Sequence, residues 1–362
     1  MPSINKVILF TFKAPLHLAN AREAYDSSQK RLHADKLYSA IMETWALLGQ
    51  QAWLDRIKMP ESELGQVDFQ LSSLFPFTRS TADDRLLWFL PRLFKPFARN
   101  ELLRTHSKAI RGVTWLDSDY FFEQASEPSG TTIGQATHIQ GEYLCAHPID
   151  PDFMASRLQA RVKIPRGGPE GSELGNDAEP YYTERLYFKQ KPVSGLYGFF
   201  SSDDPSAWER VKLALKVLAQ EGLGTDRNVG NGQFDWMADD LDMFPDLHRL
   251  FEIDGNALTN LALYNPNHSQ ELSILLNGNL GRYQLIKRGG WITSDQFQTL
   301  KKNSLYMFAE GGLWHRPPNT DLNILGAIRN LRPELPPGMP SIPHPIWRVG
   351  KGFFITLNLP AS

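Results

Sequence analysis

The chain has a single cysteine, Cys145, among 362 residues. One cysteine excludes an internal disulfide framework and a zinc site built on thiolates, and it fits a reducing, cytoplasmic compartment. No apolar run approaches the roughly 18 residues a membrane helix needs, so no membrane partner is expected. The opening "MPSINKVILFTFKAPL" carries a short apolar run without a small-residue cleavage pattern, and reads as a strand rather than a signal peptide. Charge of one sign is also lacking: 38 Lys and Arg face 40 Asp and Glu. Whole-chain charge therefore says nothing about nucleic acid, and only local clusters can. There is no HExxH, no paired His-Asp doublet and no Gly-Gly-Asp-Asp, and the nine histidines include no i, i+4 pair. No metal or cofactor is expected. The Asp-Asp doublets at 83–84, 203–204 and 239–240 read as polar surface, the second also as a helix cap.

What is present begins with Val7–Phe12, an apolar, β-rich first strand. In "LHADKLYSAIMETWALLG" the residues Leu37, Ile41, Trp45 and Leu48 recur at helical spacing, with Gly49 as the stop. Residues 67–77 read as a second strand and "VSGLYGFF", 193–200, as a third. Asp204 and Pro205 then supply an N-cap and first-turn pair for a helix whose apolar face is Trp208, Val211, Leu215 and Leu218. "NGQFDW" follows as a strand. The order is βαββαβ, so the predicted class is α+β with a ferredoxin-like first unit over residues 1–240, interrupted by an insertion at about 79–185. From Arg79 to Arg111 the insertion has eight basic and three acidic residues. Its Trp88, Phe89, Phe94 and Phe97 suit core packing better than nucleic-acid contact. "IPRGGPEGSELGNDAEP", 164–180, reads as a mobile loop. The acidic stretch from Trp236 to Asp254 reads as a solvated connector or a protein-contact face. Residues 241–362, dominated by strand-like runs, are expected to form a second, degenerate ferredoxin-like unit.

The stretch "GLGTDRNVGNGQF", 222–234, packs four glycines into eleven residues. It is not a dinucleotide fingerprint, which needs GxGxxG between a strand and a helix; here the loop closes a helix and enters a strand. It is not a P-loop, because no Gly-Lys-Ser/Thr ends it. Glycine permits close backbone approach and positive φ, and successive amides can form an anion-binding nest. Arg227 adds a guanidinium suited to phosphate, and Asn228 and Asn231 add donors. The plain alternative is a helix C-cap followed by a turn. The pattern favours binding of a sugar–phosphate backbone.

This loop, the helix "LHADKLYSAIMETWALLG", "KRGGWI" (287–292) and "HPIWRVGKGFFITL" (344–357) together resemble the RAMP superfamily of CRISPR proteins, in the branch that forms subunit four of the type III-A Csm effector. Ala34 stands where the family usually has a serine, which weakens the helix cap or passes that role to a neighbour. The resemblance implies a non-catalytic subunit that grips the 5′ repeat-derived tag of CRISPR RNA (crRNA). It implies docking on the large polymerase-like Cas subunit and on the adjacent backbone RAMP subunit. A hairpin "thumb" from the insertion would wedge between guide and target RNA. Carried over by position, Gly222, Gly224, Arg227, Gly230 and Gly232 would line the tag, with His33, Asp35 and Lys36 of the first helix.

Single-stranded RNA is held by backbone contacts and by stacking on aromatic rings and arginine. The chain offers 41 aromatics and a basic group in "RLQARVKIPR", where Arg161, Lys163 and Arg166 are candidate contacts. Lys287 and Arg288, before Gly289 and Gly290, are two more. Two other readings stay open. One is a metal-independent endoribonuclease processing precursor CRISPR RNA, with His17 and His33 as general acid and base. The other is the equivalent tag-binding subunit of another type III complex.

Overall fold

The computed structural model describes residues 4–19, 26–57, 67–127, 131–163, 179–277, 281–292, 297, 300–318, 322, 325–335, 337–338 and 342–359. The nucleus is an antiparallel sheet. Strand β1 (Ile4–Phe12) starts the chain, followed by a helix at Ala34–Leu47 and the short strands β2 (Gln70–Leu71) and β3 (Phe75–Arg79). Then come β4 (Leu86–Pro91), β5 (Trp115–Asp117), β6 (Ile139–Gln140), β7 (Tyr143–Leu144), β8 (Met154–Lys163), β9 (Glu179–Phe188) and β10 (Gly195–Ser202). A long helix, Pro205–Glu221, leads to β11 (Phe234–Asp240). In space the order is β11-β1-β10-β3-β4-β5-β7-β6, with β2 also on β10. Val7 lies opposite both Phe199 and Asp239, which places β1 centrally between β10 and β11.

Successive strand residues point to opposite faces, and β10 shows what covers each. Phe200 meets Trp208 of the long helix at 5.1 Å. Phe199 turns the other way, onto Phe251 and Phe353 of the last third of the chain, at 5.1 and 5.9 Å. That two-sided cover is why all eight residues of β10 are buried. On the helical face the indole of Trp45 donates to the carbonyl of Arg210 at 3.0 Å, joining the two helices. The capping predicted at Asp204 is present: its carboxylate accepts from the Ser206 amide at 2.8 Å, with Pro205 in the first turn. Gly49 takes φ 68°, the left-handed stop expected after the first helix.

The single strand expected at 67–77 is broken. Ser72 accepts from the Phe199 amide through its hydroxyl, and the amides of Ser73 and Leu74 go to the carbonyls of Leu261 and Leu32. Three backbone groups thus leave the ladder for partners off the sheet, and pairing resumes only at Phe75.

Much of the expected insertion is sheet. Strands β4 to β7 extend the nucleus, and Trp88, Phe89 and Phe97 are core residues. The paired ribbon β8–β9 stands apart as its own two-stranded sheet, registered from Met154 opposite Phe188 to Lys163 opposite Glu179. The acidic stretch after Trp236 is not a loose connector. It contains a short helix, Pro245–Phe251, whose Leu247 and Leu250 are fully buried, and Asp246 pairs with Arg85 at 3.0 Å. Burial of two leucines contributes about 3–6 kcal/mol of transfer free energy, enough to fix the segment.

The last third holds β12 (Ala257–Asn260), β13 (Leu285–Arg288), β14 (Leu305–Phe308), β15 (Leu313–His315), β16 (Ala327–Asn330), β17 (Trp347–Gly350) and β18 (Phe354–Leu357). These divide into a three-stranded sheet, β15-β12-β18, and the pairs β13–β14 and β16–β17. Tyr264 exchanges backbone bonds with Phe308 at 3.0 and 2.7 Å, tying the first pair to the three-stranded sheet. Among the described residues no helix is long and apolar enough to cross a membrane.

Candidate nucleic-acid interface

The glycine-rich loop begins where the long helix ends. Gly222, Gly224, Gly230 and Gly232 all take positive φ, from 74° to 88°. Three of them also sit where no side chain fits. A Cβ on Gly222 would lie 2.2 Å from the Asn231 carbonyl oxygen, one on Gly232 1.9 Å from that of Leu223, and one on Gly224 2.5 Å from that of His17. These glycines therefore fold the loop onto itself and onto the strand exit at 15–17. The amides of Gly222, Leu223, Thr225, Val229, Gly230 and Gly232 donate to backbone carbonyls within the molecule. The expected row of free amides is thus mostly spent internally. What the loop turns outward is its Arg227 side chain and its exposed tip at Asn228.

Facing the loop is the start of the first helix. Ala34 is capped from outside: its amide donates to the Ser73 hydroxyl at 3.0 Å, supplied by the break between β2 and β3. His33 and Asp35 are not surface contacts. His33, 1% exposed, donates from Nδ1 to the Glu310 carboxylate at 2.6 Å. Burial alone would raise the Glu310 pKa, but His33 and Arg31 outweigh it and hold the group at about 2. Asp35 is wholly buried and takes a bidentate pair from Arg288, both bonds 2.9 Å, and a third bond from Arg348 at 2.5 Å. Burial works against its charge, yet the two guanidiniums hold its carboxyl far below the usual range. A carboxylate so placed lies beneath the surface and cannot meet RNA directly.

Above it opens a cleft of about 550 Å³. Its walls are the glycine loop from Gly222 to Arg227, the first helix through Lys36 and Glu43, and the later segments carrying Arg288, Gly289, Gly290, Lys302 and Arg348. Five cationic side chains line it against two anionic ones, Glu43 and Asp226. Arg227 reaches Glu43 at 3.3 Å, a half-exposed pair. The amines of Lys36 and Lys302 are both pulled from 10.5 to about 8, by burial first and then by the neighbouring guanidiniums of Arg288 and Arg348 respectively. Nε of Arg348 is buried and makes no hydrogen bond among the described residues. Crowded, desolvated cations of this kind gain from an anion of several oxygens.

Of the residues expected from sequence, Lys36, Gly222, Gly224, Arg227 and Arg288 converge on the cleft. Arg161, on β8, pairs with Asp226 at 2.9 Å, as does Arg185 of β9 at 3.2 Å, so both anchor the ribbon to the loop. Asn231 is buried behind the loop with its amide nitrogen unbonded among the described residues. Gly230 lies in open space at the tip. Lys287 is exposed on β13, outside the cleft wall. The Lys163 side chain and all of Arg166 lie outside the described residues. Sequence reasoning missed Lys302 and Arg348 as site residues; Arg348 sat within a quoted segment, and Lys302 is half of the doublet Lys301-Lys302. His17 also lines the cleft, its ring bonded to the Glu184 carbonyl at 2.5 Å.

The chain is a mixed α+β protein built on a large sheet, with a glycine-rich loop after its long helix. Residues 254–357 match the family described as the CRISPR Csm4 C-terminal domain. Among solved structures it is similar to a chain of a Csm3–Csm4 subcomplex of the type III-A CRISPR-Cas interference complex. The identity is 15%, the coverage is 98% of this chain and 100% of that one, and the TM-score is 0.59. A chain of a type III-B Cmr-beta complex bound to cognate target RNA and AMPPnP matches at 11% identity, over 85% of this chain and 86% of that one, with a TM-score of 0.41. No curated protein matches the chain.

Proposed function

We propose that this chain is a non-catalytic RNA-binding subunit of a type III-A CRISPR ribonucleoprotein, and that it holds the 5′ repeat-derived tag of crRNA in the basic cleft. In this reading the β1-β10-β11 nucleus with β2/β3 is a ferredoxin-like unit, the last third is a diverged second one, and the β8–β9 ribbon is the thumb. The large polymerase-like subunit and the adjacent backbone RAMP subunit are its protein partners, and target RNA is met indirectly. The observation that carries the reading is the convergence of Lys36, Arg227, Arg288, Lys302 and Arg348 on one cleft. Three of these five come from the Csm4-type portion and two from the rest of the chain.

The chemistry is that of a phosphate grip. Arg288 and Arg348 are held rigidly by Asp35, so little ordering is lost when they meet a strand. Lys36 and Lys302 add point charges, and Arg227 closes the rim. Asp35, His33 and the loop glycines shape the cleft rather than touch the ligand. The test is anisotropy titration of the full chain with a labelled single-stranded RNA of the tag sequence. Arg227→Ala and Lys302→Ala should each weaken binding and lower the salt slope by about 0.7, as expected for one lost phosphate contact on a single strand. Unchanged affinity and slope in both variants would refute the assignment.

A further inference from the structure

We propose that the outer face of the β13–β14 hairpin is a stacking platform for single-stranded RNA as the strand leaves the basic cleft. This rests on the reading that the cleft holds RNA. In the hairpin register Leu285 lies opposite Phe308 and Lys287 opposite Tyr306. Cross-strand partners point to the same face, so Leu285, Lys287 and Tyr306 share one surface, and Phe308 is buried at its edge where Tyr283 packs against it. The alternate residues Arg288 and Met307 are buried on the other.

That surface is unusually bare for its chemistry. Tyr306 is 59% exposed, Leu285 48% and Tyr283 45%. The Tyr283 ring is braced, lying parallel to Trp314 at 5.8 Å and edge-on to Phe308 at 4.9 Å. A braced ring loses little freedom when a base stacks on it. The two segments that form the hairpin carry only positive charge. Residues 281–291 include Arg282, Lys287 and Arg288, residues 300–308 include Lys301 and Lys302, and neither segment has an acidic residue. Exposed aromatic rings on segments whose charges are all positive suit a polyanion that offers flat bases. The platform is continuous with the cleft: Arg288, the next residue after Lys287, lines it together with Gly289 and Gly290. Gly289 and Gly290 thus bring the cleft wall to within two or three residues of Lys287 on the platform face.

The experiment is anisotropy with the full chain and two fluorescein-labelled oligoribonucleotides, one of mixed sequence and one with abasic positions. Tyr306→Ala should weaken binding of the first about tenfold, the effect of one lost stack, with the salt slope unchanged because no phosphate contact is lost. Tyr306→Phe should retain affinity, and on the abasic strand Tyr306→Ala should match wild type. Lys302→Ala serves as the cleft control. If Lys302→Ala weakens binding while Tyr306→Ala does not, the platform is overturned and the cleft reading stands. If neither variant changes binding, the cleft reading falls and takes the platform with it. Equal loss on the abasic strand would show a structural effect and overturn the proposal. So would an unchanged RNA affinity accompanied by poorer assembly with partner subunits, which would make the face a protein interface.

Discussion

Asp35 concentrates more of the structure than any other side chain of the first helix. Its carboxylate, itself fully buried, neutralises Arg288 and Arg348 from beneath the cleft. Removing one partner from such a group leaves buried charge uncompensated, at a cost of about 3–5 kcal/mol. Asp35→Asn should therefore lower the urea midpoint by that equivalent and weaken RNA binding, whereas Lys287→Ala, on the surface, should leave the midpoint within about 0.5 kcal/mol of wild type. Lys36 and Lys302 give a pH signature of two opposite signs. Their folded pKa values, about 8, lie below the ordinary 10.5. Between those values the unfolded chain binds more protons than the folded one, so the contribution of both groups to stability rises as pH increases from 8 to 10. RNA binding needs the charged amines, so affinity should fall over the same interval. Thermal melts of the free chain and anisotropy at matched pH values would show the two trends diverge. His17 lines the cleft, but its pKa is lowered by burial. His17→Ala should leave repeat RNA as intact as wild type does in a gel assay; cleavage by wild type that the variant lost would restore the nuclease reading.

At the scale of elements, the glycine loop separates two uses of the same residue. Gly230 needs only its positive φ, since a Cβ there meets nothing within 4 Å. Gly232 needs both its φ and its missing side chain, because a Cβ would lie 1.9 Å from a backbone oxygen. Gly230→Ala should cost about 1–2 kcal/mol, the left-handed penalty of an L-residue. Gly232→Ala should cost several times that or prevent folding, a contrast that urea titration reads directly. This is also why the loop was only half legible from sequence. Four glycines announce close backbone approach, but not whether the approaching backbone is RNA or the protein's own. The helices and the central strands were readable, since Leu37, Ile41 and Trp45, like Leu215 and Leu218, repeat at core spacing and are buried. Strands β6 and β7 have two residues each, too few to show a period, and β4, "LLWFLP", is apolar throughout and shows none, so the sheet in this segment was not legible.

Across the whole molecule, the cleft is built by residues that share no sequence neighbourhood. Lys36 and Arg348 meet only because the last third packs on the first helix. No local pattern marks Lys302 or Arg348, and polar residues at a helix start, such as His33 and Asp35, ordinarily face water. Their burial follows from the tertiary contact, not from their own segment. The same packing predicts cooperativity. One hydrophobic cluster runs from Val7 to Leu359, through the sheet and into the Csm4-type portion. Calorimetry should show a single main unfolding transition rather than two, and a chain cut at residue 253 should fail to fold, having lost Phe353 from over Phe199 and the partners of His33 and Asp35.

Asp35 is separated from Arg288 by 253 positions and from Arg348 by 313. A ribosome making this chain therefore delivers the carboxylate long before either counter-ion exists. The nascent amino-terminal part must wait, incompletely neutralised, until synthesis has passed Arg348. A product that stops before Arg288 is left without that lock, so only copies extended past both arginines can settle into the finished shape.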